Sequence, residues 1–208
     1  MLVLYYAKGT SALASHILLE EVGADYTAQE VPLSEGAHRE EAYLAINPKA
    51  RVPALKTPEG TITENPAILR YVAATHPAAG MLPDTPFAQA EADALNAYLC
   101  ATVHVAFAHL LRGARWTDDE EARNAMKAKV PANLAECAGL IERHYLKGPW
   151  AMGERFTHCD AYLALVPRWL SGAGVDLSPY PKLSAHWSAL RDRPAVRRVL
   201  AVHGIDPA

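Results

Sequence analysis

Cysteine is scarce: Cys100, Cys137 and Cys159 are the only three in 208 residues, and no C-x-x-C occurs. An odd, sparse count excludes a disulfide framework and a cysteine-based zinc site, and a reducing cytoplasm is the simplest compartment. Excess charge is also missing, with Lys+Arg 20 against Asp+Glu 23. A net charge of −3 supplies no general attraction to nucleic acid or to an anionic membrane. No basic leader precedes the short apolar run Met1–Ala7, so it reads as a strand rather than a signal peptide. The sequence has no G-x-G-x-x-G, no G-x-x-x-x-G-K and no G-x-S-x-G. Nucleotide phosphate cradles and the α/β-hydrolase nucleophile elbow are therefore unsupported. The nine histidines include no H-E-x-x-H pair, and His104 and His109 fall on different helix faces, so no metal is expected. A high charge density is absent as well: 21% charged and 50% hydrophobic residues exclude a mainly disordered chain.

What is present changes character near residue 80. Leu2–Tyr6 reads as a strand, and Ser11–Val22 as a helix with Leu13/Ile17 and Leu18/Val22 at i,i+4. Thr27–Val31 is expected to be the second strand, and Glu40–Ile46 a short helix or turn. Val52–Lys56 and Thr61–Thr63 read as a hairpin around Pro58-Glu-Gly60. Asn65-Pro66 opens the next helix, with Asn65 as cap, and that helix ends at His76-Pro77. A β-α-β-α-β-β-α order predicts a small sheet with helices on its faces. Residues 78–85 read as a linker.

The second half shows only helical periodicity. Ala94–Leu111 carries no Asp, Glu, Lys or Arg but contains His104 and His109, which favours a buried core helix over a membrane span. Its stripe is Ala92, Leu95, Leu99, Val103, Ala106 and Leu110. Thr117-Asp-Asp-Glu120 and Thr157-His-Cys-Asp160 are capping-box patterns, and Pro131 is expected to kink or divide its helix. Two short helices close the chain near Pro181–Arg191 and Ala195–His203. The arginines at 191, 193, 197 and 198 read as a solvated face.

Two segments carry chemistry. In Asn47-Pro-Lys-Ala-Arg-Val-Pro-Ala-Leu55, Val52-Pro53 falls where a strand should begin. Either Pro53 is an ordinary trans edge proline, or a cis bond turns the backbone and frees the Val52 N–H and C=O for an extended ligand. In Thr63-Glu-Asn-Pro-Ala-Ile68, a carboxylate and an amide sit at a helix N-terminus. There Asn65 either caps its own helix or joins the free N–H groups in holding an anion.

Together with Tyr6-Ala-Lys-Gly-Thr-Ser-Ala-Leu-Ala-Ser-His16 and Phe156-Thr-His-Cys-Asp-Ala-Tyr-Leu163, these segments resemble the cytosolic glutathione transferases, bacterial beta-like branch, over essentially the whole chain. The resemblance implies an α/β thioredoxin-like domain at 1–77, a linker at 78–85 and an all-α domain at 86–208. It implies glutathione as co-substrate, a small hydrophobic electrophile, a homodimer, a cytoplasmic location, and neither metal, nucleic acid nor membrane as partner. By position, Val52 and Pro53 would meet the cysteinyl part of glutathione, Glu64 and Asn65 its γ-glutamyl end, and His38 or Arg51 its glycine carboxylate. His104 would face the site from the first long helix of the second domain. Ser11 stands where beta-like members usually carry cysteine, which leaves a hydroxyl that donates to sulfur and forms no mixed disulfide. Thr10 and Tyr6 are rival donors. Val105 replaces the lysine that often follows the histidine. The alternatives are a non-catalytic glutathione-binding scaffold and a specific glutathione-dependent isomerase or dehalogenase.

Overall fold

In the computed structural model, which describes residues 1–206, four short strands form one mixed sheet in the order β2-β1-β3-β4. β1 (Leu2–Tyr6) pairs in parallel with β2 (Tyr26–Glu30), Leu4 opposite Ala28. On its other side β1 pairs antiparallel with β3 (Ala54–Lys56), Leu4 opposite Leu55, and β3 turns back into β4 (Thr61–Thr63). β2 begins one residue earlier than its hydrophobic pattern predicts, and β3 two residues later, because pairing with β1 starts only at Ala54. The last two residues assigned from sequence to the helical half, 207 and 208, lie outside the described residues.

α1 (Ala12–Glu21) is the hinge piece of the architecture. Ala12 through Leu19 are all buried, so this helix is covered all round rather than along one stripe. One side faces the sheet; the other meets the helical half, and a single apolar core runs through Leu4, Ile17, Ile68, Leu95, Val103 and Tyr162. A fully buried Leu or Ile contributes roughly 1.5–3 kcal/mol relative to exposure, so shared burial holds the halves together strongly. α2 (Glu41–Leu44) is a single turn, and α3 (Asn65–Thr75) packs Ile68, Leu69 and Val72 into the core.

The helical half contains α4 (Pro86–Tyr98), α5 (His104–Arg112), α6 (Glu120–Leu140), α7 (His158–Leu163), α8 (Leu165–Gly172), α9 (Pro181–Arg191) and α10 (Pro194–Val202). The predicted single long helix is interrupted by a π-helical turn, Leu99–Val103, between α4 and α5. Nor is it buried all round. Ala92, Leu95, Leu99 and Val103 are sealed in the core, while Phe87 and Leu111 stand exposed. α6 runs through Pro131 unbroken, and its cap is Asp119, whose carboxylate accepts the N–H groups of Glu121 (2.8 Å) and Ala122 (3.2 Å). Thr117 takes the Asp119 N–H instead. Two short acidic residues before the helix compete for the cap, and the one whose carboxylate reaches the second and third N–H groups wins.

At α7, Asp160 behaves as the capping pattern predicts and does more. Its fully buried carboxylate accepts the Thr157 N–H (2.8 Å) and hydroxyl (2.9 Å), the Ala151 N–H (2.7 Å) and the His186 ring (2.9 Å). Four donors on one buried carboxylate satisfy the desolvation that would otherwise exclude it from a core. The C-terminal arginines also do more than face solvent. Arg193 forms a two-pronged ion pair with Glu21 (2.7 Å each) and lies over Phe156, and Arg198 meets Glu20 (2.6 Å), so both staple α10 or its leading turn onto the end of α1.

Candidate active site

A cleft of about 470 Å³ opens between the sheet-bearing half and the helical half, chiefly α5 and the turns on either side of it. Every sequence-predicted site residue except Tyr6 lines it: Thr10, Ser11, His38, Arg51, Val52, Pro53, Glu64, Asn65 and His104.

Its sheet-side wall is built by short, local devices. The turn into α1 is closed by Thr10, whose hydroxyl donates to the Ala7 carbonyl (2.7 Å) and accepts the Ala12 N–H (3.3 Å). Ser11 occupies the cap position in a helical conformation, and its hydroxyl makes no capping bond. The neighbouring threonine thus satisfies the turn and leaves Ser11 available to the cleft. The following loop is held by Asn47 and Tyr43, which both donate to the Arg51 carbonyl (2.6 and 2.7 Å). The Val52–Pro53 bond is cis. Neither the N–H nor the C=O of Val52 has a partner among the described residues, which leaves a free strand edge at the cleft.

The α3 end corrects one expectation. Asn65 lies in the first turn and Glu64 is the flanking residue, so Asn65 is not the cap. Its amide instead donates to the Ser11 carbonyl (2.8 Å) and accepts from the Ser15 hydroxyl (2.7 Å). This buried latch sets the N-termini of α1 and α3 side by side, so two positive dipole ends converge on the cleft, although the Ala12, Leu13 and Ala14 N–H groups of α1 are already taken within their own turn. Glu64 and Ala50 have positive φ, 74° and 53°, and both line the cleft. Such backbone costs of order 1–3 kcal/mol and clusters at functional sites. Lys49 holds the Glu64 carboxylate at 2.6 Å.

Tyr6 does not line the cleft. It is buried between His16 and His203, with ring centroids at 5.2 and 5.0 Å, and burial raises the pKa of its hydroxyl. The family resemblance made it a rival donor, but its place on β1 turns its ring into the core.

The helical wall contains residues that sequence reading did not find: Cys100, Val105, Ala108, Arg112, Arg115, Trp116 and Tyr162. His104 stacks on Trp169 at 4.8 Å, and its pKa falls to about 4 through burial and then the positive charges of Arg112, Arg115 and Arg51. It is a neutral imidazole at physiological pH. His109 packs on Trp116 at 4.2 Å and so fixes the indole at the cleft mouth. The signal for these residues was weak: α5 has an i,i+4 His104–Ala108–Arg112 row, but nothing local says that this row faces a ligand.

The sequence profile of the family described as "Glutathione S-transferase, N-terminal domain" matches residues 1–74. Glutathione S-transferase GstA of Escherichia coli O157:H7 is 31% identical over 97% of this chain and 98% of its own. The structure of a glutathione transferase homologue from Sulfitobacter, with bound glutathione, superimposes with a TM-score of 0.94 at 40% identity, over 97% of this chain and 98% of that one. A maleylacetoacetate isomerase of Pseudomonas aeruginosa is 32% identical over 93% of this chain and 92% of its own. The chain belongs to the glutathione S-transferase family.

Proposed function

We propose that this protein conjugates glutathione to electrophilic carbon, with Ser11 as the hydroxyl that donates to the thiolate. One observation carries the reading: the Ser11 hydroxyl, free of the cap that Thr10 provides, shares a cleft with the unpaired Val52 edge and the α3 N-terminus. In this reading the Val52 N–H and C=O pair with the cysteinyl unit as an added strand. Glu64, Asn65 and the α3 N–H groups hold the γ-glutamyl end, and Arg51 or His38 meets the glycine carboxylate. A free thiol has pKa ≈ 8.5. A hydroxyl donor and the dipole end of α1 favour the charged sulfur, each unit of lowering corresponding to ~1.4 kcal/mol. The thiolate then attacks a carbon held by the helical wall, and proximity supplies much of the rate.

The domain limits 1–77, 78–85 and 86–208, a homodimer and a cytoplasmic location belong to the same proposal. The dimer is supported by the apolar α4 face, where Phe87 is 76% exposed; sedimentation at micromolar concentration tests it, and a monomer defeats it. Turnover of 1-chloro-2,4-dinitrobenzene above the spontaneous rate tests the transferase. Glutathione binding by calorimetry without turnover of any electrophile would make the protein a scaffold. The isomerase-named relative motivates a second reading, in which product forms while glutathione is not consumed.

A further inference from the structure

The helical wall carries two guanidiniums with nothing to neutralise them. Arg112 and Arg115 face the cleft with Arg51 opposite, and no carboxylate pairs with any of the three among the described residues. Glu64, the one acidic side chain on the cleft lining, is already engaged by Lys49 at 2.6 Å. The cleft interior is therefore strongly positive. Proton affinity is lowered at Arg112 by burial and Arg51, at Arg115 by burial, Arg112, Arg51 and Arg39, and at His104 by burial and the three cleft arginines. Like charges gathered in one cleft oppose folding unless a ligand offsets them. The glycine carboxylate of glutathione accounts for Arg51 in the function proposed above. It leaves the two arginines on the other wall, Arg112 at the end of α5 and Arg115 in the turn that follows, on the same lining as Trp116.

We infer that Arg112 and Arg115 form an anion subsite for the second substrate, so that the preferred electrophile is an aromatic or unsaturated carboxylic acid rather than a neutral hydrophobic compound. Guanidinium forks match carboxylate oxygens, and the Trp116 face suits a planar body attached to that carboxylate. This inference rests on the transferase reading for its reaction, but the subsite itself does not. For an aryl chloride the balance is simple. The thiol proton leaves to solvent, a sulfur–carbon bond forms, the carbon–chlorine bond breaks, and chloride departs with the bonding pair.

The test is a matched pair, 4-chloro-3,5-dinitrobenzoate and its methyl ester. For each, kcat/KM is divided by the spontaneous rate with glutathione, and the acid-to-ester ratio is read. In Arg112→Gln and in Arg115→Gln the ratio should fall about tenfold, as expected for loss of one charged hydrogen-bond donor. Lys129→Gln, which removes an exposed cation on α6 outside the cleft lining, should leave the ratio unchanged. An unchanged ratio in both arginine variants overturns the inference. So does a loss of glutathione affinity, by calorimetry, as large as the fall in the ratio, since that assigns the arginines to glutathione. If the parent turns over neither compound, binding of unreactive 3,5-dinitrobenzoate to the glutathione-bound protein decides. Binding that the double arginine variant loses keeps the subsite, and absence of that binding removes it; turnover of 1-chloro-2,4-dinitrobenzene decides the transferase reading separately.

Discussion

The two walls of the cleft are made by different means. The sheet-side wall is a set of short-range constructions: a threonine closing its own turn, a loop held by Asn47 and Tyr43, and the N-terminus of α3, whose open N–H groups follow from backbone geometry alone. The helical wall consists of side chains from the π-helical turn, α5, the turn after α5 and α7, placed by packing. The first wall offers backbone polar groups, which in the function proposed above would hold the peptide backbone of glutathione. The second offers side chains, which differ freely without disturbing the backbone, and in the function proposed above it is where substrate choice would reside. A wall of backbone groups is robust and general, and a wall of side chains is adjustable.

The largest expected way to break the contrast is Asp160→Ala. Asp160 anchors α7, which carries Tyr162 to the cleft, and it satisfies four buried donors. Its removal should destabilise by about 3–5 kcal/mol. Denaturant unfolding reads this directly, and a loss below 1 kcal/mol would show that the helical wall does not depend on this carboxylate.

Ser11→Ala probes the sheet-side wall. Because Ser11 makes no capping bond, stability should hardly move. At neutral pH kcat/KM should fall about 10- to 100-fold, with its pH midpoint shifted upward, by analogy with loss of an oxyanion donor. Tyr6→Phe should leave the pH midpoint in place. A midpoint that moves with Tyr6 or Thr10 and not with Ser11 would reassign the donor.

The junction between the walls contains the His16–His203 contact, Nδ1 to Nε2 at 3.1 Å, both rings buried. Burial lowers the pKa of His16 to about 4 and, joined by the charge of His16, that of His203 to about 3. The unfolded imidazoles protonate near 6.5, so below that pH the unfolded chain binds more protons and stability falls as pH drops. The stabilisation is complete above about pH 6.5 and should diminish by ~1–2 kcal/mol per ring by pH 5, less than additively because the rings are in contact. Chemical unfolding at pH 7.5 and pH 5 checks this, and His203→Gln should flatten the difference.

The smallest effect sharpens the division of labour within one turn. Thr10→Val removes the side chain that closes the α1 turn and should cost about 1 kcal/mol. The pH profile of kcat/KM should stay unchanged. Thermal melts with pH–rate profiles separate this outcome from that of Ser11→Ala.

Much of this was readable in advance. Strand 1, strand 4 and the Thr157–Asp160 reach-back follow from local rules, since alternation and the needs of helix ends act over a few residues and leave a short pattern, whereas the residues of the sheet-side wall were picked out by the family resemblance of their motifs. What misled was also local. Asn65 reads as a cap because its type suits one, yet its partners Ser11 and Ser15 lie 54 and 50 residues away. Tyr6 reads as a donor until the pleat turns it inward.

The sequence by itself determined the order of elements, the division near residue 80, and the residues whose chemistry depends on their own turn. Tertiary structure alone decided that α1 is buried all round, that Arg193 and Arg198 clamp the halves together, and that Arg112, Arg115 and Trp116 meet Arg51 across one cleft. A helix pattern states which residues share a face, but what that face meets depends on elements distant along the chain, joined only when apolar burial draws them together.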